Sequence, residues 1–555
     1  MIDRDETFAY KRDKTLLYFI ILAIFTMSLF LFGLGNSNLK GSGENRVAGI
    51  AVEMGFSGDL VVPRLNSEPF LEKPPMYFWI GSTCFNLFGV NVFTARLPSA
   101  MAAILCIFLV FSLARKTGFS ALTAFISGMI LATATGFWTL GNECATDMTL
   151  CLFITSAMAC FYQYSQSLSK ITLWYIGFIL SLSCALLTKG LVGIAIPLSA
   201  IFFWLIIQPN FLFKNWVLFL ISSVLCFIPI SIWIYYLYGV LGWNGVYEVV
   251  WSNNFGRFLS AYGGHQEPFY YYILKFPTNF TPWILFLPFA IVYHLKETKA
   301  WKVKSAPIFF LLWLVAPFIL LSISSGKRGI YLLSLYPAAA LLVGTAVGNM
   351  LESNHIPKKI FTIPLSILGF IVVIASAGFC IISICFKQPL ITSAIISLPG
   401  LFIGIFACKN LYKKDFTDFF KILTAALLVV LLSYNTKIAP FFNENESYKP
   451  VFNYFESLST NGALVNLYRP LERVRGSAVF YLKRNVPVIR EEEKLKAFLS
   501  SNKKAVVLIV IGKDDGNKLP STKILKSFIV GRRKIIFLTN ENVIFKDSKE
   551  KTNAE

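Results

Sequence analysis

Charge is scarce in this sequence: 15% of its 555 residues are charged, while 55% are hydrophobic and 16% aromatic. An average soluble chain carries about 25% charged residues, so a soluble globular fold is excluded. All ten cysteines precede a polar tail that begins near Asn435, most of them inside apolar runs. No disulfide framework or metal cluster is therefore indicated, and buried structural thiols are the default. The tail has no nucleotide-binding glycine pattern, and the chain shows no internal repeat of the kind common in transporters. The first apolar run lacks the small-residue exit of a cleaved signal peptide, so it reads as a retained helix.

What the chain has in abundance is long apolar runs. They lie at Thr15–Gly35, Leu97–Ala114, Phe119–Leu140, Met148–Tyr164, Ile171–Leu187, Leu191–Ile207, Trp216–Tyr238, Phe280–Tyr293, Ala306–Ile323, Ile330–Val347, Ile360–Phe386, Leu390–Ala407 and Phe419–Tyr434, thirteen in all. Runs of about 17 to 25 residues match the bilayer core at the helical rise. Helices are the form expected, because each backbone N–H and C=O must be satisfied within the segment. The fold class read from this is a mainly α, polytopic membrane protein of about thirteen transmembrane helices with a small C-terminal α/β domain outside the cytoplasm.

Arg4, Lys11, Arg12 and Lys14 precede the first run and place the N-terminus inside. Alternation from there puts Arg115 and Lys116, then Lys296, Lys299, Lys302 and Lys304, then Lys358 and Lys359, then Lys409, Lys413 and Lys414 in cytoplasmic breaks. The formal charge of +21 is thus mostly topological and not a nucleic-acid signal. The same alternation places two long loops, at 36–96 and 239–279, and the tail on the other face. The domain reading is a membrane domain over 1–438 and a soluble α/β domain over 439–555. In the tail, Ala463–Leu467, Ala505–Ile511 and Lys534–Leu538 read as strands and EEEKLKAFLS as an amphipathic helix.

Ionisable groups near membrane depth are costly and tend to mark function. The first loop carries Glu44, Arg46, Glu53, Arg64, Glu68, Glu72 and Lys73, and in EKPPMYFW two prolines hold an extended stretch directly after Lys73. A lysine so placed pairs with a lipid phosphate or simply snorkels. Glu143 and Asp147 fall at a helix start on the outer side, where Asp147 serves as a cap or as something more. Lys189 in LLTKGLVG, and Lys327, Arg328 and Tyr331 in SSGKRGIYLLSLYP, place cations on the outer side against the charge rule, which points to an anionic ligand at the outer leaflet. In the second loop, Arg257 suits bidentate phosphate binding. His265 and Glu267 offer two donors, too few to define a metal site, so a divalent metal stays open.

In chain order, ENRVAGIAVEM, SGDLVVPRLNSEPFLEKPPMYFW, ARLPSA, GNECATDM, LTKGLVG, GRF with GGH, TPW and KRGIYLLSLYP resemble the superfamily of aminoarabinose lipid A transferases and protein mannosyltransferases. These are multispanning GT-C glycosyltransferases that use polyprenyl-phosphate sugars. The tail stretch GSAVFYLKR resembles the aminoarabinose branch. The resemblance implies catalytic roles for Glu44 and Asp147 and a carrier-phosphate site of Lys73, Arg257 and Tyr331, with Lys327 and Arg328 beside it; Arg46, Glu72, Lys189, His265 and Glu267 are further candidates. It also implies inverting transfer of a pentose or hexose from a polyprenyl-phosphate donor to lipid A, another glycolipid or a protein, across a bacterial inner membrane with a periplasmic C-terminal domain. Family members often carry an Asp-Glu pair where this chain has Gly43 and Glu44. Either Glu44 takes the role from one residue along, or the acceptor chemistry differs. Rival readings are a protein O-glycosyltransferase of the same superfamily, a flippase for a lipid-linked sugar, and an assembly protein. These readings fix no cofactor and leave a divalent metal open.

Overall fold

The computed structural model describes residues 4–166, 171–208, 213–256, 267–297, 305–352, 416–500, 504–511 and 522–540, with scattered helical positions between 363 and 409. Apart from those positions, the expected spans Ile360–Phe386 and Leu390–Ala407 lie outside the described residues, as do Arg257 and His265. Two compact units make up the chain.

In the first unit, Met1–Ser37, Asp59–Pro63 and Phe70–Pro440, the elements formed by the described residues are all helices. Among the described residues seven helices are long and apolar enough to cross a membrane, or nine if each of two bent pairs is one span. The chain runs through α1 (Arg4–Leu31), then α3 (Met76–Phe88), α4 (Val92–Lys116), α5 (Ala121–Thr133), α6 (Thr135–Gly141), α7 (Thr146–Gln166), α8 (Ile171–Lys189) and α9 (Leu191–Ile207), with α2 (Gly41–Ser57) belonging to the second unit. Later spans include Ala306–Ile323 and Gly329–Glu352. Eleven of the thirteen apolar runs read from sequence overlap one or two described helices, and the other two are those outside the described residues.

Local chemistry sets the breaks. Asn91 caps α4 by accepting the Thr94 N–H at 2.9 Å, and Ser120 caps α5 by accepting the Thr123 N–H at 3.1 Å. Between α5 and α6 the axis turns by 69°. There the Thr135 N–H and Oγ1 leave the helix and donate to the Thr281 carbonyl at 2.9 and 2.7 Å, and Trp283 Nε1 donates to Thr133 Oγ1 at 2.9 Å. The TPW stretch therefore holds the kink, since a diverted N–H cannot close the next turn. Buried Arg96 donates through Nη1 to the carbonyls of Leu34 and Ser37, both at 2.9 Å, and so satisfies backbone acceptors just beyond α1.

The second unit gathers Asn38–Gly58, Arg64–Pro69 and Phe441–Glu555. Its sheet has the order β4-β3-β5-β7-β6, with β3 (Leu464–Tyr468) parallel to β4 (Val488–Ile489) and β5 (Ala505–Ile511), and β7 (Arg533–Asn540) antiparallel to β5 and β6 (Thr522–Val530). Side-chain alternation divides the core. Val506 and Leu508 pack with Phe452, Phe455, Val474 and Ala478, while Val507 packs with Leu495 and Leu499 on the opposite face. The first-loop segments supply helix α2 (Gly41–Ser57), lying on the Glu472–Leu482 helix, and a two-residue hairpin, β1 (Arg64–Leu65) with β2 (Glu68–Pro69). Asn66 and Ser67 turn that hairpin at φ +57° and +71°. Buried Glu53 fixes the turn, accepting the Asn66 and Ser67 N–H groups at 2.6 and 2.8 Å and Asn485 Nδ2 at 3.0 Å.

Glu68 carries a pH-dependent share of this unit's stability. Burial alone would raise its carboxyl, but the hydrogen bond from Arg490 and the charges of Arg475 and Arg490 outweigh burial and hold it below the usual carboxylate range. A carboxyl lowered in the folded state stabilises above its unfolded value and loses that contribution as pH falls through the folded one. Thermal unfolding of the full-length protein is expected to show stability falling below about pH 5, with Glu68→Gln flattening the fall. An identical slope in the variant would show that the two arginines do not couple to this carboxylate.

Candidate active site

Five separated stretches of sequence converge in the first unit. In the first, Pro74 and Pro75 fix the backbone between Lys73 and α3, and Lys73 Nζ donates to Thr146 Oγ1 at 2.9 Å. One helical turn on from Lys73, buried Tyr77 places its hydroxyl 3.1 Å from Ser99 Oγ and 3.5 Å from Cys144 Sγ. Ser99 in turn accepts the Ala145 N–H at 3.1 Å. The EKPPMY, ARLPSA and NECATD stretches are thus tied together around the start of α7.

Asp147, in the first turn of α7, is 5% exposed. It pairs with Lys189, the last residue of α8. The Lys189 ammonium also lies 4.3 Å from the centroid of the Tyr331 ring, a cation–π distance. Tyr331 sits in the 3₁₀ segment Gly329–Leu335, whose approach is set by the Arg328 N–H donating to the Tyr272 hydroxyl at 3.2 Å. The charges of Lys73 and Arg328 also act on Asp147. At the ends of apolar helices one carboxylate is thus paired with Lys189 and lies within the field of two further cations. That excess of positive charge in a poorly solvated place suits a phosphate, whose oxygens accept several charge-assisted hydrogen bonds.

Other candidates stand elsewhere. Lys327 is buried and donates to the carbonyls of Ser324 at 2.6 Å and Glu267 at 3.0 Å, beyond the end of the Ala306–Ile323 helix. Glu267 itself is exposed, and Glu72 is half-buried. Glu44 and Arg46 belong to the second unit. There Glu44 is buried and its Oε2 accepts the Lys40 N–H at 2.9 Å at the start of α2, and Arg46 Nη1 pairs with Glu472 Oε2 at 2.7 Å. Among the described residues no group of three or more His, Cys, Asp or Glu side chains is placed to hold a metal ion.

Sequence reading passed over Thr146, Tyr77 and Ser99 as site-forming residues. Tyr77 had a usable signal, its four-residue spacing from Lys73. Ser99 had none, because its role depends on a partner 46 residues away. Asn253, in the π-helical segment Glu248–Gly256, was likewise silent in sequence; it donates to the Leu71 carbonyl at 3.1 Å and steadies the backbone two residues before Lys73.

A multispanning helical bundle of this form, with cations and one carboxylate gathered at helix ends, has the fold of the GT-C glycosyltransferases. ArnT from Cupriavidus metallidurans, solved bound to undecaprenyl phosphate, superimposes with a TM-score of 0.74 at 20% identity, over 94% of this chain and 97% of that one. Residues 48–244 match the dolichyl-phosphate-mannose-protein mannosyltransferase family. The chain is thus similar to the protein mannosyltransferases over about a third of its length and to the aminoarabinose transferases over more than half of it. It is 26% identical over 498 residues to an uncharacterized protein of Aquifex aeolicus, covering 90% of this chain and 91% of that one. It is 28% identical over 347 residues to the undecaprenyl phosphate-alpha-4-amino-4-deoxy-L-arabinose arabinosyl transferase of Erwinia tasmaniensis, and 29% over 333 residues to that of Proteus mirabilis. These two matches take in 59% and 58% of this chain and 58% of each relative's length.

Proposed function

We propose that this protein transfers a sugar from a polyprenyl-phosphate carrier to lipid A or another envelope glycoconjugate at the periplasmic face of a bacterial inner membrane. The observation that carries the proposal is the gathering of Lys73, Lys189, Arg328 and Tyr331 about Asp147. The matched arabinosyl transferases are named for an undecaprenyl phosphate donor, which supports a lipid phosphate as the anion. Topology supports a single working face. The second unit is built from segments after the first span and after the last, which supports placing both on one face.

In the reaction an acceptor oxygen attacks the sugar C1, forming the new glycosidic bond as the C1–O bond to the carrier phosphate breaks. Inversion at C1 follows from a single displacement. Negative charge grows on the departing phosphate, and Lys73, Arg328 and the Tyr331 hydroxyl stabilise it as preorganised donors. Arg257 joins them on the strength of the resemblance alone. Lys189 is held by Asp147 and adds its field, while Lys327 is assigned to closing the end of its helix.

A hydroxyl acceptor needs a base, whereas a phosphate acceptor does not. Asp147 is a poor base because Lys189 engages its lone pairs, so the proposal gives that role to Glu44. Glu44→Gln keeps an oxygen that can accept the Lys40 N–H but removes the basic carboxylate. Turnover is expected to fall by about 10²-fold or more, with undecaprenyl phosphate binding and thermal stability unchanged. Near-normal turnover would remove Glu44 from the chemistry and point to a phosphate acceptor.

A further inference from the structure

We infer that Gly476 and Ser477, in the C-terminal tail, are positioning residues for Glu44. The inference rests on the reading of Glu44 as the base. It gives the tail a part in turnover as well as in folding.

The contact is made backbone to backbone. A Cβ added to Gly49 of α2 would fall 2.6 Å from the Gly476 Cα, and one added to Gly476 would fall 2.3 Å from the Asn45 carbonyl oxygen. Only glycine at both places lets the two helices approach this closely. Beside that contact, Ser477 Oγ donates to Asn45 Oδ1 at 2.8 Å, and Asn45 Nδ2 donates to the Gly41 carbonyl at 2.7 Å. Asn45 and Ser477 are both fully buried. On the same face Arg46 is paired with Glu472. The residues directly after Glu44 are therefore held by residues 472, 476 and 477, one helical face of the tail.

The consequence for Glu44 is geometric. Its backbone lies between the Lys40 N–H that its own carboxylate accepts and the Asn45 side chain that Ser477 holds. Rotation or sliding of α2 would move the carboxylate, and a misplacement of about 1 Å is enough to cost about 10²-fold in rate.

The test compares full-length variants at matched membrane levels. Gly476→Ala is expected to lower kcat about 10²-fold and Ser477→Ala about tenfold, read as accumulation of the glycolipid that wild type makes. The loss should fall in kcat, with KM and the affinity for undecaprenyl phosphate within about twofold of wild type. Leu495→Ala, in the core on the other face of the sheet, is the control. It destabilises the same unit but should leave the rate per folded molecule unchanged. If Ser477→Ala and Gly476→Ala lose no more rate per folded molecule than Leu495→Ala while Glu44→Gln is inactive, the positioning role is wrong and the base assignment stands. If Glu44→Gln is active, or wild type makes no product, the reading beneath the inference fails.

Discussion

Replacing Lys73 by alanine is expected to lower turnover by about 10²- to 10³-fold, the loss that follows removal of one preorganised donor from a developing anion. The fold should barely notice. Lys73 is half-buried, its ammonium donates to the Thr146 hydroxyl, and Asp147 keeps its ion pair with Lys189 when Lys73 is removed. Undecaprenyl phosphate should bind more weakly as well, since the ground-state phosphate already carries charge, but by less than turnover falls. Lys73→Arg should recover only part of the loss, because a planar fork does not reproduce a compact ammonium held by two prolines. Titration with undecaprenyl phosphate beside a turnover assay separates these effects. Wild-type turnover in Lys73→Ala would remove this lysine from the carrier site.

Asp147→Ala is expected to act on folding and turnover together. Asp147 and Lys189 have side-chain exposures of 7% and 11%, so deleting the carboxylate strands a nearly buried ammonium. Breaking such a pair from one side costs about 3–5 kcal/mol. The double variant Asp147→Ala with Lys189→Met removes both charges and should regain most of the lost thermal stability. It should not regain turnover, because the field of Lys189 and its orientation beside Tyr331 are gone with it. Thermal unfolding in detergent with a parallel turnover assay checks both halves. Recovery of activity along with stability would make the pair purely structural.

The membrane architecture was legible because its signal is additive. Long apolar runs cannot be hidden by context, and those at Leu191–Ile207 and Ala306–Ile323 reappear with the same bounds. Breaks made by distant partners were not legible. The Phe119–Leu140 run reads as one span, yet the Thr281 carbonyl bends it. In the tail, β5 was evident as a continuous apolar strand. By contrast β6 was missed because its charges, Lys523 and Lys526, interrupt the alternation, and lysines of this sort suit a strand at the sheet edge.

The candidate site was legible by chemistry and not by partnership. Lys73, Asp147, Lys189 and Tyr331 stood out as polar groups where apolar ones were expected, and the structure brings them together. Nothing in sequence says that Asp147 takes Lys189 or that Lys327 spends its ammonium on two carbonyls. Nor does the sequence show that Glu53 closes a hairpin with Asn485, 432 residues away. These pairings belong to the fold, and residue type alone does not encode them.

The central claim, sugar transfer from a lipid phosphate, is tested most directly by mass spectrometry of lipid A and total envelope glycolipids from cells with and without this gene, complemented by wild type, Lys73→Ala or Glu44→Gln. The account predicts a glycan mass that disappears on deletion, returns with wild type and fails to return with either variant. Identical lipid A and glycolipid spectra with and without the gene would contradict it.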